Sequence, residues 1–417
     1  MSVRRIFVVV TLAISGTLGL HADLTGQDGA ARSRVFTLTD SIIGGAAGLT
    51  VDRMGVIYAA TFDERVYKVR MDAPPEVFAS GLYGATGNVI GPMGNLYQLN
   101  FFGGYITKID RHGDQEIIAT GLETPMSVAL AGQDLYVTNC GSNTIARVTL
   151  EGEVTTLVQG PPFNCPNGIT HASDGNLYVV NFSDTKLLRV AFDGTVSEFG
   201  ALPHIRNVIT SARGYLYVAS VSGRQLHRVS LTTGEISHIA GTGDVGSRDG
   251  TALEATFNSP NGIATSGGGS IFIHDINEPE ATAGIRSAPR TGSIRVVAVP
   301  SLTGHLGTIY DSLGADAMVQ EYHAYRADPE TAGLLDEAEM SGWGYQTLLI
   351  LPEAALKIFE LNAESYPDSW RVYDALGNAY VRLGQPAEAI AAFERSLELN
   401  ADNNNAAEKL KELRGVD

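Results

Sequence analysis

Residues 168–181 read GITHASDGNLYVVN, and this stretch decides the fold. It contains a short apolar strand, a turn at Asp174-Gly175-Asn176 and a second strand that begins with Leu177-Tyr178. The same aliphatic–aromatic pair recurs at Ile57-Tyr58, Leu96-Tyr97, Leu135-Tyr136, Leu177-Tyr178, Leu216-Tyr217 and Ile271-Phe272. Successive aromatic residues are 39, 39, 42, 39 and 55 positions apart. A period of about 40 residues with several short strands per unit predicts a mainly β fold, a six-bladed β-propeller.

Each repeat unit contains up to four predicted strands, and the third strand carries a basic residue. These residues are Lys68, Lys108, Arg147, Arg189, Arg228 and Arg295. The sixth unit lacks a fourth strand after residues 294–299, whereas an unmatched strand, VFTL, lies at 35–38. We expect this N-terminal strand to complete the last blade, because ring closure removes the open edges of the propeller. The propeller is predicted to span 34–300.

The first 22 residues have the features of a signal peptide. Arg4 and Arg5 give a positive start, residues 6–20 are largely apolar, and a cleavage site follows at Ala22. We expect the chain to be exported to the periplasm or the extracellular space. The alternative is an N-terminal anchor that is retained.

The two cysteines fit an exported protein. Cys140 follows the second strand of the third blade, and Cys165 precedes the first strand of the fourth blade. Both loops are expected on the same face of neighbouring blades, so export to an oxidising compartment predicts a disulfide. The alternative is two free buried thiols.

Charge and hydropathy exclude two kinds of partner. The formal net charge of the 417-residue chain is −17, which repels phosphate backbones, so nucleic acid is not expected to bind. No long apolar stretch follows the signal peptide, so no membrane span is expected in the mature chain.

From about residue 310 the hydrophobic period becomes helical, and an all-α segment is predicted over 310–417. A 34-residue unit that begins at Trp370 resembles a tetratricopeptide repeat. The resemblance rests on Trp370, Tyr373, Leu376, Gly377, Tyr380, Ala389 and Phe393. A degenerate copy precedes this unit, and a last helix over 405–414 is expected to cap the stack. The helices are predicted to form a groove for a protein or peptide, or alternatively a packing or dimerisation appendage.

The long fifth spacing contains an insertion that resembles an NHL repeat. It reads IAGTG at 239–243, RDG at 248–250 and FNSPNG at 257–262. The other units are similar to NHL and SMP-30/gluconolactonase-like six-bladed propellers. This resemblance implies the fold and does not specify an activity, because many activities share such blades.

The strand register predicts a ring of residues at one mouth of the central channel. The residues before the first strands are Ala47, Thr86, Met126, Asn167, Arg206 and Asn261. The second strands end at Thr61, Asn100, Asn139, Asn181, Ser220 and Asp275. An Asn-rich ring around a funnel can bind a small polar ligand or a cation through its amide oxygens. Arg206 would anchor an anionic or carbonyl group.

The gluconolactonase-like resemblance implies a Ca²⁺ or Zn²⁺ site at this mouth, with Asn167, Asn261 and Asp275 as its candidate ligands. The sequence departs from that pattern, since Ala47 occupies the position of an expected Glu and Arg206 adds a positive charge. Divalent ions need anionic ligands to offset their desolvation. We therefore expect no resident cofactor.

The sequence predicts an exported ligand-binding or scaffolding module that uses the propeller mouth and the helical groove. The alternative is a metal-dependent lactone hydrolase, or a lyase similar to streptogramin lyases. No catalytic residue can be assigned in either case. The histidines are predicted to have structural roles, and those of the propeller's later blades are His171, His204, His227, His238 and His274.

Overall fold

A computed structural model describes residues 33–52, 55–70, 73–212, 214–266, 270–277, 290–298, 306–307, 309–310, 313–327, 337–348 and 351–415. The predicted signal peptide at 1–22 and its cleavage site lie outside these residues.

Six antiparallel sheets form the blades of a propeller in the described part of the chain. The first strand, β1 (Arg34–Ile43), belongs to the last blade. Blade 1 contains β2 (Leu49–Val51), β3 (Ile57–Ala60), β4 (Val66–Arg70) and β5 (Ala73–Ala79). Blade 2 contains β6 (Ala85–Ile90), β7 (Leu96–Asn100), β8 (Tyr105–Ile109) and β9 (Gln115–Ala119). Blade 3 contains β10 (Pro125–Ala131), β11 (Asp134–Asn139), β12 (Thr144–Thr149) and β13 (Val154–Gln159).

The other three blades continue the series. Blade 4 contains β14 (Pro166–His171), β15 (Leu177–Asn181), β16 (Lys186–Val190) and β17 (Val196–Ala201). Blade 5 contains β18 (Asn207–Ala212), β19 (Tyr215–Ser220), β20 (Gln225–Ser230) and β21 (Ile236–Ala240). Blade 6 adds β22 (Gly250–Thr251), β23 (Pro260–Thr265), β24 (Ile271–Asn277) and β25 (Thr291–Ala298) to β1.

The N-terminal strand closes the ring, as predicted. β1 pairs antiparallel with β25, with Arg34 opposite Ala298 and Ile43 opposite Thr291. The sequence did not predict β22, a two-residue strand of the insertion that pairs with the outer edge of β1. Both ends of the propeller sequence therefore contribute strands to blade 6.

The recurring aromatic residues pack between neighbouring blades. Tyr58 of blade 1 belongs to one buried cluster with Ala85 and Leu96 of blade 2. Phe272 of blade 6 likewise shares a cluster with Leu49 of blade 1. The repeat thus supplies each inter-blade core with one large side chain, which explains why its period matches the blade.

Glycines at the start of the inner strands allow neighbouring blades to approach closely. A Cβ atom on Gly48 would lie 2.3 Å from the Thr86 carbonyl oxygen and 2.8 Å from Cα of Gly87. A Cβ atom on Gly262 would lie 2.3 Å from the Ala47 carbonyl oxygen. Larger residues would push the inner strands apart, so these glycines keep the ring narrow.

Six long helices follow in the described residues. They are α1 (Ala315–Ala327), α2 (Glu337–Leu348), α3 (Pro352–Ser365), α4 (Trp370–Arg382), α5 (Pro386–Leu399) and α6 (Asn404–Arg414). The pairs α2–α3 and α4–α5 pack alike, because the Phe359 ring covers Gly344 and the Phe393 ring covers Gly377. The degenerate first unit therefore repeats the helix contact of the second unit.

Helix α6 contacts the propeller at the turns of blade 2 that lie opposite the starts of the inner strands. The Asn404 amide nitrogen lies 3.6 Å from Sδ of Met93, and Arg111 pairs with Glu408 at 3.9 Å. These contacts are on the face opposite the mouth.

Candidate functional site

The inner strands β2, β6, β10, β14, β18 and β23 surround a central channel of about 330 Å³. We define the mouth as the end at which these strands begin. Five of the six predicted opening residues line the channel, namely Ala47, Thr86, Met126, Asn167 and Asn261. The sixth, Arg206, lies outside the lining and is exposed on the rim of the mouth. A channel of this volume is within the range of small-molecule sites.

Asn167 and Asn261 each link two blades and leave an acceptor in the channel wall. The Asn167 amide nitrogen donates to the Asn207 carbonyl at 2.8 Å, and that of Asn261 donates to the Ala46 carbonyl at 2.8 Å. Their Oδ1 atoms accept no hydrogen bond from any residue that the structure describes. The two side chains therefore combine an inter-blade bond with an oxygen available to a ligand.

Three hydroxyl groups of the channel wall are also unpartnered within the described residues. They belong to Thr50, Ser127 and Thr210. By contrast, the Thr86 hydroxyl donates to the Pro125 carbonyl at 2.8 Å and helps to join blades 2 and 3. The wall therefore presents hydroxyls and amide oxygens, which suit a ligand recognised through hydrogen bonds.

The structure does not bring the second-strand asparagines to the channel. Asn100, Asn139 and Asn181 are buried at the turn that follows each second strand. Asn100 accepts from the Tyr83 backbone N–H at 2.8 Å, and the Asn181 amide donates to the carboxylate of Asp184 at 3.0 Å. These side chains bind the loops of their own blades, so ligand binding by them stays a prediction.

Asp275 is also buried inside its blade rather than in the channel wall. Its carboxylate accepts backbone N–H bonds from Asn258 and Ser259 and lies 3.6 Å from the Arg295 guanidinium. Burial raises the pKa of Asp275 to about 6, although the two N–H groups and Arg295 act to lower it. The immediate neighbours of this carboxylate are thus the insertion and a buried arginine.

Three of the histidines form a row at blade 5, which the sequence did not predict. The His227 ring lies 5.4 Å from that of His238 and 6.1 Å from that of His204. Burial lowers the pKa of His227 to about 4, and both neighbouring rings act in the same direction. His274 is fully buried in blade 6, and burial lowers its pKa to about 3. The strand register held the available signal, since His227 faces His238 across β20 and β21.

The predicted disulfide is confirmed. Cys140 and Cys165 are bonded, with their Cα atoms 4.0 Å apart. The backbone N–H of Cys165 also donates to the Asn143 side chain at 2.7 Å. The mouth loops of blades 3 and 4 are therefore joined both covalently and by a hydrogen bond.

Two features are absent from the described residues. No group of three or more His, Cys, Asp or Glu side chains is placed to hold a metal ion. Among the same residues, no helix combines the length and apolar character needed to cross a membrane.

Comparisons with known proteins match the helical segment to a sequence family and the propeller to solved structures of the same fold. Residues 370–403 match the tetratricopeptide repeat family model. A gluconolactonase from Xanthomonas campestris superposes with a TM-score of 0.53 at 16% identity, over 69% of this chain and 98% of that one. A structural-genomics protein of unknown function from Bacteroides thetaiotaomicron gives a TM-score of 0.53 at 19% identity, over 64% of this chain and 76% of that one.

A streptogramin B lyase gives a TM-score of 0.48 at 17% identity, over 63% of this chain and 98% of that chain. No curated protein sequence matches the chain. At these identities the similarity concerns the fold alone. The chain is therefore a six-bladed β-propeller of the architecture found in gluconolactonase-like proteins, followed by helices that include a tetratricopeptide repeat.

Proposed function

We propose that the chain is an exported binding module, which holds a small polar ligand in the channel and a protein on the tetratricopeptide helices. The unpartnered acceptors and hydroxyls of the channel wall carry the first part of this proposal. Such groups bind water in the free protein and exchange it for a ligand of matching polarity. The tetratricopeptide match supports the second part, because stacked helical repeats create extended concave surfaces. The disulfide supports export, since such bonds persist in oxidising compartments.

The channel can be tested without weakening the fold. Ser127→Ala and Thr210→Val remove hydroxyls that make no hydrogen bond to the described residues, so the free energy of unfolding should change by less than about 0.5 kcal/mol. Thr156→Val, on the exposed outer strand β13, is the matched control. Calorimetric titrations with separate sugars, amino acids, hydroxy acids and aromatic acids would identify a ligand. We expect either channel variant to weaken its binding about fivefold to tenfold, as the loss of one hydrogen bond predicts.

Two results would contradict the proposal that the channel binds a small polar ligand. One is a set of titrations in which no compound binds, and the other is an affinity that the channel variants and Thr156→Val leave equally unchanged. The same titrations with Ca²⁺ and Zn²⁺ test the alternative of a metal-dependent enzyme. A stoichiometric ion that stabilises the fold would favour that alternative.

The helical groove calls for a separate test in the full-length chain. A photo-reactive residue at exposed Arg371 or Val381 on α4 should cross-link to one defined protein in the compartment of export. The same residue at exposed Phe192 of the propeller is the control. Equal cross-linking from all three positions would refute a specific groove.

A further inference from the structure

Four aromatic side chains form a patch at the mouth, which we call the mouth aromatic cluster. It consists of Phe62, Tyr83, Phe101 and Phe102, whose neighbouring ring centroids are 5.1–5.8 Å apart. Phe62 is 37% exposed, Phe102 57% and Tyr83 59%. Phe62 also lines the channel, so the patch continues into the cavity. Contiguous exposed aromatic surface next to a cavity indicates an apolar contact with a ligand.

An arginine lies on the other side of the same mouth. Arg206 precedes the inner strand of blade 5, whereas the mouth aromatic cluster belongs to blades 1 and 2, which lie two and three blades away around the ring. Its guanidinium is stacked over the Phe182 ring at 5.1 Å. It forms no ion pair or hydrogen bond with the described residues, although the whole chain carries a net charge of −17. Stacking orients the planar donor fork and leaves its edge free for an anion.

The backbone holds this arginine at the mouth. Arg206 has a φ of 58°, and the residues before the inner strands of blades 2, 3 and 4 share this left-handed conformation, with φ values of 75° at Gly84, 51° at Thr124 and 55° at Cys165. The carbonyl oxygen of each of these four residues accepts a hydrogen bond from the residue that follows the second strand of the same blade. The left-handed turn is therefore a feature of the blade, and in blade 5 it places Arg206 at the mouth.

We propose that the mouth binds an organic carboxylate whose apolar ring or chain covers the mouth aromatic cluster while its carboxylate pairs with Arg206. This inference rests on the proposed function and names the class of its ligand. Such a ligand needs a chain between its ring and its carboxylate, because the mouth aromatic cluster and Arg206 lie on different sides of the mouth. The hydroxyls and amide oxygens of the wall bind its polar substituents.

The experiment compares 4-phenylbutyrate with the isosteric 4-phenylbutyramide and with butyrate, by calorimetry on the full-length chain. We expect the acid to bind about tenfold more tightly than the amide, as expected for a charge-assisted pair. Butyrate should bind more weakly than phenylbutyrate, because it lacks the ring. Arg206→Gln should abolish the preference for the acid, and Phe102→Ala should weaken acid and amide by the same factor.

Two controls lie outside the mouth. Arg189→Gln removes an exposed arginine from blade 4, and Phe192→Ala removes an aromatic ring that is 43% exposed at the opposite end of that blade. Both should leave all affinities unchanged. Equal affinity for acid and amide, no binding of the acid, or a preference that survives in Arg206→Gln would overturn the assignment. If Ser127→Ala still weakens binding of another compound, the ligand class alone is wrong and the channel site remains.

Discussion

Replacement of Arg295 by methionine should destabilise the protein far more than the same change at an equivalent position. Arg295 is fully buried, whereas Arg189 occupies the same third-strand position of blade 4 and is exposed. The Arg295 guanidinium contacts the Asp249 carboxylate at 2.8 Å, the Thr256 carbonyl at 3.0 Å and the Asp275 carboxylate at 3.6 Å. Its loss leaves a buried carboxylate without its counter-ion.

Loss of one partner of a buried ion pair costs about 3–5 kcal/mol, whereas exposed pairs contribute about 0–1 kcal/mol. We therefore expect Arg295→Met to lower the free energy of unfolding by about 3–5 kcal/mol, and Arg189→Met by less than about 1 kcal/mol. Urea unfolding followed by circular dichroism measures both.

A double variant separates the unpaired charge from the loss of packing. Arg295→Met combined with Asp275→Asn should be more stable than Arg295→Met alone, because the amide carries no charge that needs compensation. Equal destabilisation by Arg295→Met and Arg189→Met would refute the reasoning. So would a double variant less stable than Arg295→Met.

Three further predictions concern pH, the disulfide and the inter-blade glycines. His227 and His274 bind protons mainly when unfolded, so the free energy of unfolding should fall as the pH drops from about 6.5 towards 4. The raised pKa of Asp275 acts in the opposite sense and leaves a net slope on the order of 1 kcal/mol per pH unit near pH 5. Urea unfolding at several pH values measures this slope, and His227→Phe should reduce it. Replacing Cys140 and Cys165 by serine should lower the free energy of unfolding by about 3.5 kcal/mol, given their separation of 25 residues. An unfolding midpoint of the unchanged protein that is the same with and without reductant would contradict this. Gly262→Ala should lower the free energy of unfolding by about 1–3 kcal/mol, because the added methyl group overpacks the contact between blades. Gly200→Ala has open space around its methyl group and should lower it less, and thermal unfolding of both variants measures the difference.

The fold could be predicted from the sequence because its determinants are local and repeated. Each recurring aromatic residue fills one inter-blade core, as Tyr58 does between blades 1 and 2. The number of aliphatic–aromatic pairs in the sequence therefore gives the number of blades. The sixth unit lacks a fourth strand, and the strand at 35–38 precedes the first unit. Pairing of these two parts of the sequence was therefore predicted to close the ring. The sequence did not predict β22, because two residues, Gly250 and Thr251, are too few to show a periodic pattern. They form a strand by pairing with the outer edge of β1.

The site could be predicted only as far as strand register extends. Register placed Asn167 and Asn261 in the channel wall, because an inner strand has a defined start. Strand register does not predict the direction of side chains at the ends of the second strands. There, Asn100 and Asn181 form hydrogen bonds with residues of adjacent loops instead of lining the channel. The contact between Phe62 and Phe102 depends on the packing of one blade against the next, which no period within a repeat encodes.

The described contacts between the helices and the propeller lie on the face opposite the mouth. Helix α6 meets the turns of blade 2 at Met93 and Arg111, whereas the inner strands open at the other face. Blade 2 also carries Tyr83 and Phe102 at its mouth end. Within the described residues, blade 2 thus joins the contact with the helices to the mouth aromatic cluster.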